Sequence, residues 1–364
     1  MRQDNEIRII YGTDPHTMTR KLLENMDLKS RIPSKNALIG LKPNLVVARS
    51  AETGATTHPE ILEEIIRYLQ ENGFRNLLIL EGSWVGDDTK RAFLYCGYRD
   101  LSKKYGVPLF DTKDDQYTIK EYDGIKMEIS KKALSVDYLI NLPVLKGHCQ
   151  TMMTGALKNM KGCLSDREKR HFHTLGLHRP IACLGKILHS DFILVDGLCG
   201  DLDFEEGGNP VRMNRMICGT DPLLVDCYLA SCMGFDPFDI GYLKLAQEFG
   251  VGSSDLENAD IVELNKDESK VVPSSSGLVR NLSKYTVPKD ACSACYANLI
   301  QALKRLDDEG RLHRGCGPIC IGQGYRGKTG DGIGVGACTH GLCQSLGGCP
   351  PKTPEIVSFL KENL

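Results

Sequence analysis

Short apolar runs recur along the first two thirds of the chain: Ile7–Tyr11, Ala37–Leu41, Asn76–Leu80, Val107–Phe110, Tyr138–Leu142 and Phe192–Val195. They are rich in Ile, Leu and Val and alternate little with polar residues, as strands covered on both faces do. Helical spacing fills the intervals. Pro59–Gln70 has proline at a plausible first turn and Glu60, Glu63 and Glu64 toward its N-terminal end, where acids favour the helix dipole. Asp88–Cys96, Pro180–Leu188 and Pro222–Met233 read as further helices, the last with Asp221 as its N-cap. This alternation predicts an α/β fold, a mostly parallel doubly wound sheet with helices on both faces.

The pattern changes near Lys266–Lys284, a polar stretch with three consecutive serines that reads as a linker. The boundary is placed near residue 288, giving an α/β domain over 1–288 and a small cysteine-rich module of helices and loops over 289–364. In the module, Ala291–Asp308 and Thr353–Leu364 read as helices flanking the glycine-rich Gly315–Cys349. That stretch is expected to lack a hydrophobic core of its own, and no internal repeat is visible in the chain. A metal centre would be the natural substitute for a core.

Cysteine usage sharpens this picture. Of 15 cysteines, eight are scattered from Cys96 to Cys232 and seven fall between Cys292 and Cys349. The N-terminus, MRQDNEIRIIYG, does not read as a signal peptide, and no apolar run reaches the roughly 20 residues of a membrane span. A cytoplasmic location is therefore expected, where close cysteines serve metal or redox work rather than disulfides. Cys292-Ser-Ala-Cys295 at a helix start brings two sulfurs to one side, and the distant Cys349-Pro350 completes a spacing frequent in [4Fe–4S] sites. With Cys338 these are the four expected ligands. Gly336, Gly347 and Gly348 beside them allow backbone to approach a cluster. Zinc, which also takes four thiolates, is the alternative. Cys316, Cys320 and Cys343 are left over, as core residues or as part of a second centre.

Gly322-Gln-Gly-Tyr-Arg-Gly-Lys328-Thr329 matches a phosphate-loop pattern, but the glycine-rich continuation Gly330–Gly336 cannot form the helix such a loop requires. The formal net charge of −2 gives no reason to expect nucleic acid or membrane as partner. Charge is concentrated locally in Lys146–His178, where Lys146, His148, Lys158, Lys161, Arg167, Lys169, Arg170, His171, His173 and His178 face only Asp166 and Glu168. Next to a strand end, this stretch reads as a site for an anionic small molecule. Lys42, Lys146 and Lys158 would hold the anion, and His148 and His171 would transfer protons.

Several separated motifs resemble those of the domain of unknown function 362 family. They are Lys42-Pro-Asn44-Leu45, Thr56-Thr57-His58-Pro59, Glu81-Gly82-Ser83, Asn141-Leu-Pro143, Met153-Thr154-Gly-Ala-Leu-Lys158-Asn159 and Asp196-Gly197. The resemblance covers about residues 5–265. Independently of it, polar groups at and beyond the carboxyl ends of the strands, where open α/β sheets bind ligands, are expected to converge on one crevice, with Lys42, Asn44, His58, Glu81, Ser83, Lys146, Thr154, Lys158 and Asn159 as substrate-binding residues. The tail is similar to an accessory module that follows this domain in anaerobes, for which an iron–sulfur role is commonly inferred. It implies the same ligands, Cys292, Cys295, Cys338 and Cys349. The resemblance names no reaction. The leading expectation is a [4Fe–4S] redox protein acting on an anionic small molecule, with an electron-transfer protein as a further partner. The alternatives are a lyase or isomerase using the metal as Lewis acid, a non-enzymatic electron carrier, and a zinc-stabilised binding protein.

Overall fold

The computed structural model describes residues 5–268, 271–273, 277–313 and 316–364. The chain packs as two units. One is residues 1–169 with 178–274, and the other is residues 170–177 with 275–364. The second unit thus begins before the expected boundary at 288 and takes in a segment from the basic stretch. Residues 269–270 and 274–276 of the expected linker lie outside the described residues, and Leu278–Leu282 within it is a helix.

The first unit is built on an eight-stranded sheet. In spatial order its strands are Asp260–Glu263, Glu6–Tyr11, Pro210–Gly219, Phe192–Asp201, Tyr138–Leu142, Ile39–Pro43, Leu77–Glu81 and Leu109–Asp111. All neighbours are parallel except around Pro210–Gly219, which runs antiparallel to both of its partners. The six expected strands are present. Pro210–Gly219 and Asp260–Glu263 escaped the sequence reading because the first begins with polar alternation and the second is an exposed edge. Strand residues point alternately to the two faces. Leu41, Ile79 and Ile140 therefore join a core with Met18, Leu22, Leu23, Ile61, Ile65 and Leu69, carried by helices Pro15–Asn25 and Pro59–Glu71. Asp221 caps Pro222–Cys232 by accepting from the Leu223 and Leu224 amides at 2.9 and 3.1 Å, as expected.

The second unit corrects the picture of a module of helices and loops. It contains a four-stranded, wholly parallel sheet in the order Thr286–Pro288, Ile319–Ile321, Gly330–Val335, Leu342–Leu346. It also has an apolar core, in which Leu299, Ile300, Leu303, Ile319, Ile321, Val335, Ile356 and Leu360 are all buried. Helices Ser293–Asp308 and Thr353–Asn363 supply part of it. Parallel strands usually need a crossover of a dozen or more residues. Here residues 322–329 and 336–341 suffice, because each crossover opens with a glycine at positive φ, Gly322 at +118° and Gly336 at +97°. A one-turn 3-10 helix follows each glycine, Gln323–Tyr325 and Ala337–Thr339. A Cβ at Gly322 would stand 2.0 Å from the Lys289 carbonyl oxygen. Ile319-Cys-Ile-Gly322 and Ile333-Gly-Val-Gly336 are therefore one element used twice, a repeat that the varied residues between them conceal. The phosphate-loop lookalike is one of these crossovers. It runs into a strand, not a helix.

Candidate functional site

Helix Ser293–Asp308 and the crossovers of the small sheet converge on one small, partly open cavity in the second unit. Cys292, Cys295, Cys338 and Cys349 all line it, with Gly322, Gln323, Gly336, Ala337, Gly348, Arg170 and Arg326. The four expected ligands therefore come together from three places in the chain. Cys292 is the N-cap of its helix and Cys295 lies in the first turn, where the helix dipole and free amides favour negative sulfur. Cys338 lies in the 3-10 turn after Gly336. Cys349 follows Gly348, whose carbonyl accepts from the Ala337 amide at 2.8 Å.

Cys292, Cys295 and Cys338 are half-buried and Cys349 is exposed. Burial pushes the Cys295 thiol far up, and the sulfurs of Cys292, Cys349 and Cys338 push it further. Mutual repulsion of this kind is what a bound cation relieves. A Cβ added to Gly336 would lie 3.9 Å from the Cys295 sulfur, so the bare glycine keeps one wall of the cavity open. The Arg326 Nε–H donates to the Cys338 sulfur at 3.3 Å. Among the described residues, no three His, Cys, Asp or Glu side chains form a set that could hold a single metal ion. The leftover cysteines stand apart. Cys316 is buried and accepts from the His313 amide at 3.4 Å. Cys320 sits in a strand. Cys343 is exposed and donates to Asp331 at 3.2 Å.

The polar motifs of the first unit gather at and beyond strand ends as the sequence implied, but they form a buried, internally bonded network. Lys42 and Glu81 pair at 2.9 Å with relative exposures of 0 and 3%. Glu81 also accepts from the Gly82 and Leu45 amides. Asn44 donates to Asn159, which donates to Asn141, each a buried amide contact. Lys146 donates to the Asn44 side chain and to the carbonyls of Ala55 and Glu205. Burial pushes its pKa down to about 7. Lys158 pairs with Glu205 at 2.6 Å and sits 3.4 Å from the Thr154 hydroxyl.

His148 accepts at Nδ1 from the Gln150 and Thr151 amides. The other nitrogen, Nε2, therefore carries the proton and faces Glu205 at 3.2 Å. Burial drives its pKa down to about 4, so it is neutral at pH 7. His58 pairs with Asp196 at 2.7 Å. Burial opposes its charge, but Asp196 outweighs it and raises the pKa to about 9. Ser83 is fully buried, and its hydroxyl has no hydrogen-bond partner among the described residues.

Lys42, Lys146 and Lys158, expected to hold an anion, each already bind a buried carboxylate or carbonyls. The basic stretch is also not one patch. Arg167 pairs with Glu128, Lys169 donates to the Gly82 and Ser83 carbonyls, and His171 is exposed in the second unit. Sequence reasoning missed Glu205, whose carboxylate holds both Lys158 and His148, and Asp226. Asp226 is fully buried and accepts from the Ala156 and Leu157 amides at 2.5 and 3.0 Å. Neither lies in a motif. The one available signal was an excess of lysines in a segment whose counter-charges had to come from elsewhere.

Comparison with known proteins adds the following. The family described as Domain of unknown function (DUF362) matches residues 39–231. A thylakoid-associated protein of Synechocystis sp. is 22% identical over 249 residues, covering 65% of this chain and 76% of the relative. The solved lactate racemase apoprotein from Thermoanaerobacterium thermosaccharolyticum aligns at 17% identity with a TM-score of 0.39. That alignment covers 67% of this chain and 57% of the racemase chain, so the chain spans little more than half of that structure. Among the described residues no helix is long and apolar enough to cross a membrane.

Proposed function

The chain belongs to the DUF362 family, and from that premise we propose that it is an iron–sulfur protein whose second unit holds a [4Fe–4S] cluster through Cys292, Cys295, Cys338 and Cys349. The observation that carries this reading is the shared cavity. Four thiols from a helix N-terminus, one sheet crossover and the loop after the last strand line one space, with a bare glycine wall and an arginine donating to one sulfur. Cluster sulfur is stabilised by such donors and by close backbone. When bound, the cluster would supply one-electron transfer. Lewis-acid chemistry needs an iron with an open position, whereas four cysteines leave no corner of a four-iron cluster unligated. Electron transfer, with a protein or small-molecule partner, is therefore favoured over a lyase or isomerase. The chain's own part is to hold the thiolates at the helix N-terminus and to shield Cys295 from water.

The small-molecule site expected in the first unit is not carried into this proposal, because Lys42, Lys146 and Lys158 are already bonded within the protein.

The test is anaerobic purification with iron, acid-labile sulfide and zinc analysis, extended to single Cys→Ser variants. About four irons and four sulfides per chain with a broad absorption band are expected. Cys292→Ser, Cys295→Ser, Cys338→Ser and Cys349→Ser should each lower the iron content, and Cys343→Ser should not. One zinc without sulfide would overturn the proposal and leave a zinc-stabilised module.

A further inference from the structure

We infer that Arg326 is a positioning residue for the cysteine centre. It holds the Cys338 sulfur in place and raises the reduction potential of a cluster bound there. The inference rests on the proposal above and extends it to the poise of the site.

Arg326 belongs to the crossover after Ile319–Ile321, and Cys338 to the equivalent crossover after Gly330–Val335. The two crossovers stack because their strands pair in parallel register, Ile321 opposite Val335. The backbone repeat therefore carries Arg326 alongside the turn that bears the sulfur. Its Nε–H reaches Cys338 at 3.3 Å, one edge of a planar fork. Arg170 lines the same cavity, and among the described lining residues none is acidic. The cavity wall thus adds positive charge to that of the helix N-terminus.

A one-electron reduction adds one negative charge at the centre and need move no proton. A charged donor to a ligating sulfur stabilises the more negative state more, and so raises the potential. Arg326 is exposed, so water and salt screen its charge and the effect is moderate. Removing the guanidinium should lower the equilibrium constant for reduction about fivefold, which at 59 mV per tenfold is about 40 mV.

The experiment is a potentiometric titration of the reconstituted full-length protein with dithionite, which supplies one electron per cluster, followed by EPR. Wild type, Arg326→Gln and Arg326→Lys are compared at matched iron and sulfide content. The Gln variant should titrate about 40 mV lower. The Lys variant should fall between, since it keeps the charge and loses the planar donor. Equal potentials in all three proteins would overturn the inference while leaving the cluster proposal standing. Should Arg326→Gln fail to keep its iron, Arg326→Lys decides alone: a lowered potential supports the inference, an unchanged one removes it. Wild type without iron and sulfide would instead sink the underlying proposal, a separate result read before any potential is measured.

Discussion

Replacing Lys42 by Met should destabilise the first unit by about 3–5 kcal/mol, because it leaves a buried carboxylate without its counter-charge. Lys42 Nζ stands 2.9 Å from Glu81, and the two side chains are 0 and 3% exposed. After the substitution the hydrogen bonds left to Glu81 among the described residues come from the amides of Gly82 at 2.7 Å and Leu45 at 3.2 Å. Water has little room to replace the ammonium. A Cβ on Gly162 would lie 2.0 Å from one Glu81 oxygen and 2.7 Å from Lys42 Nζ, so backbone already closes that side. Met fills most of the volume of the lysine stem, which keeps the loss mainly electrostatic. The double variant Lys42→Met/Glu81→Leu removes both charges and should recover most of the stability. Urea unfolding followed by tryptophan fluorescence is a suitable assay. The protein has one tryptophan, Trp84, which lies in the first unit just beyond the strand ending at Glu81. With an m-value of about 3 kcal/mol/M, the midpoint should fall by about 1–2 M in the single variant. A single variant costing under about 1 kcal/mol, or a double variant as unstable as two independent losses would make it, would refute the reasoning.

Two further predictions concern pH. His58 has a folded pKa raised to about 9 against 6.5 unfolded. Its pairing with Asp196 therefore contributes fully below about pH 6.5 and is lost as pH rises through 9; at about 1.36 kcal/mol per unit that is about 3 kcal/mol. His58→Gln should lose most stability near pH 6 and converge on wild type above pH 9 in thermal unfolding, and a pH-independent loss would contradict the ion pair. Burial raises Asp226 from 3.8 to about 7 despite its two amide donors. The folded state then binds the proton more tightly than the unfolded one, so this group lowers stability as pH rises from about 4 to 7. Asp226→Asn should flatten the stability curve across that window, and a slope parallel to wild type would show that Asp226 is already ionised there.

The apolar runs determined most of the first unit. Short, wholly apolar segments such as Leu77–Leu80 read as strands covered on both faces, and helix starts such as Asp221-Pro222 carry their signal in adjacent residues. The four cysteines that share the cavity were legible for a related reason. Thiols, glycines and a C-x-x-C spacing are chemically rare, and their meaning depends little on distant neighbours. Tertiary structure alone decided the rest. Lys42, Lys146 and Lys158 carry no sign of their partners along the chain, and only folding sets them against Glu81 and Glu205 in a buried network. The small parallel sheet was hidden because its crossovers rely on positive φ at Gly322 and Gly336, and a glycine does not announce which conformation it adopts. Local chemistry is written in the sequence. Which charges neutralise one another, and which sulfur an arginine reaches, depends on through-space distances between residues far apart in the chain.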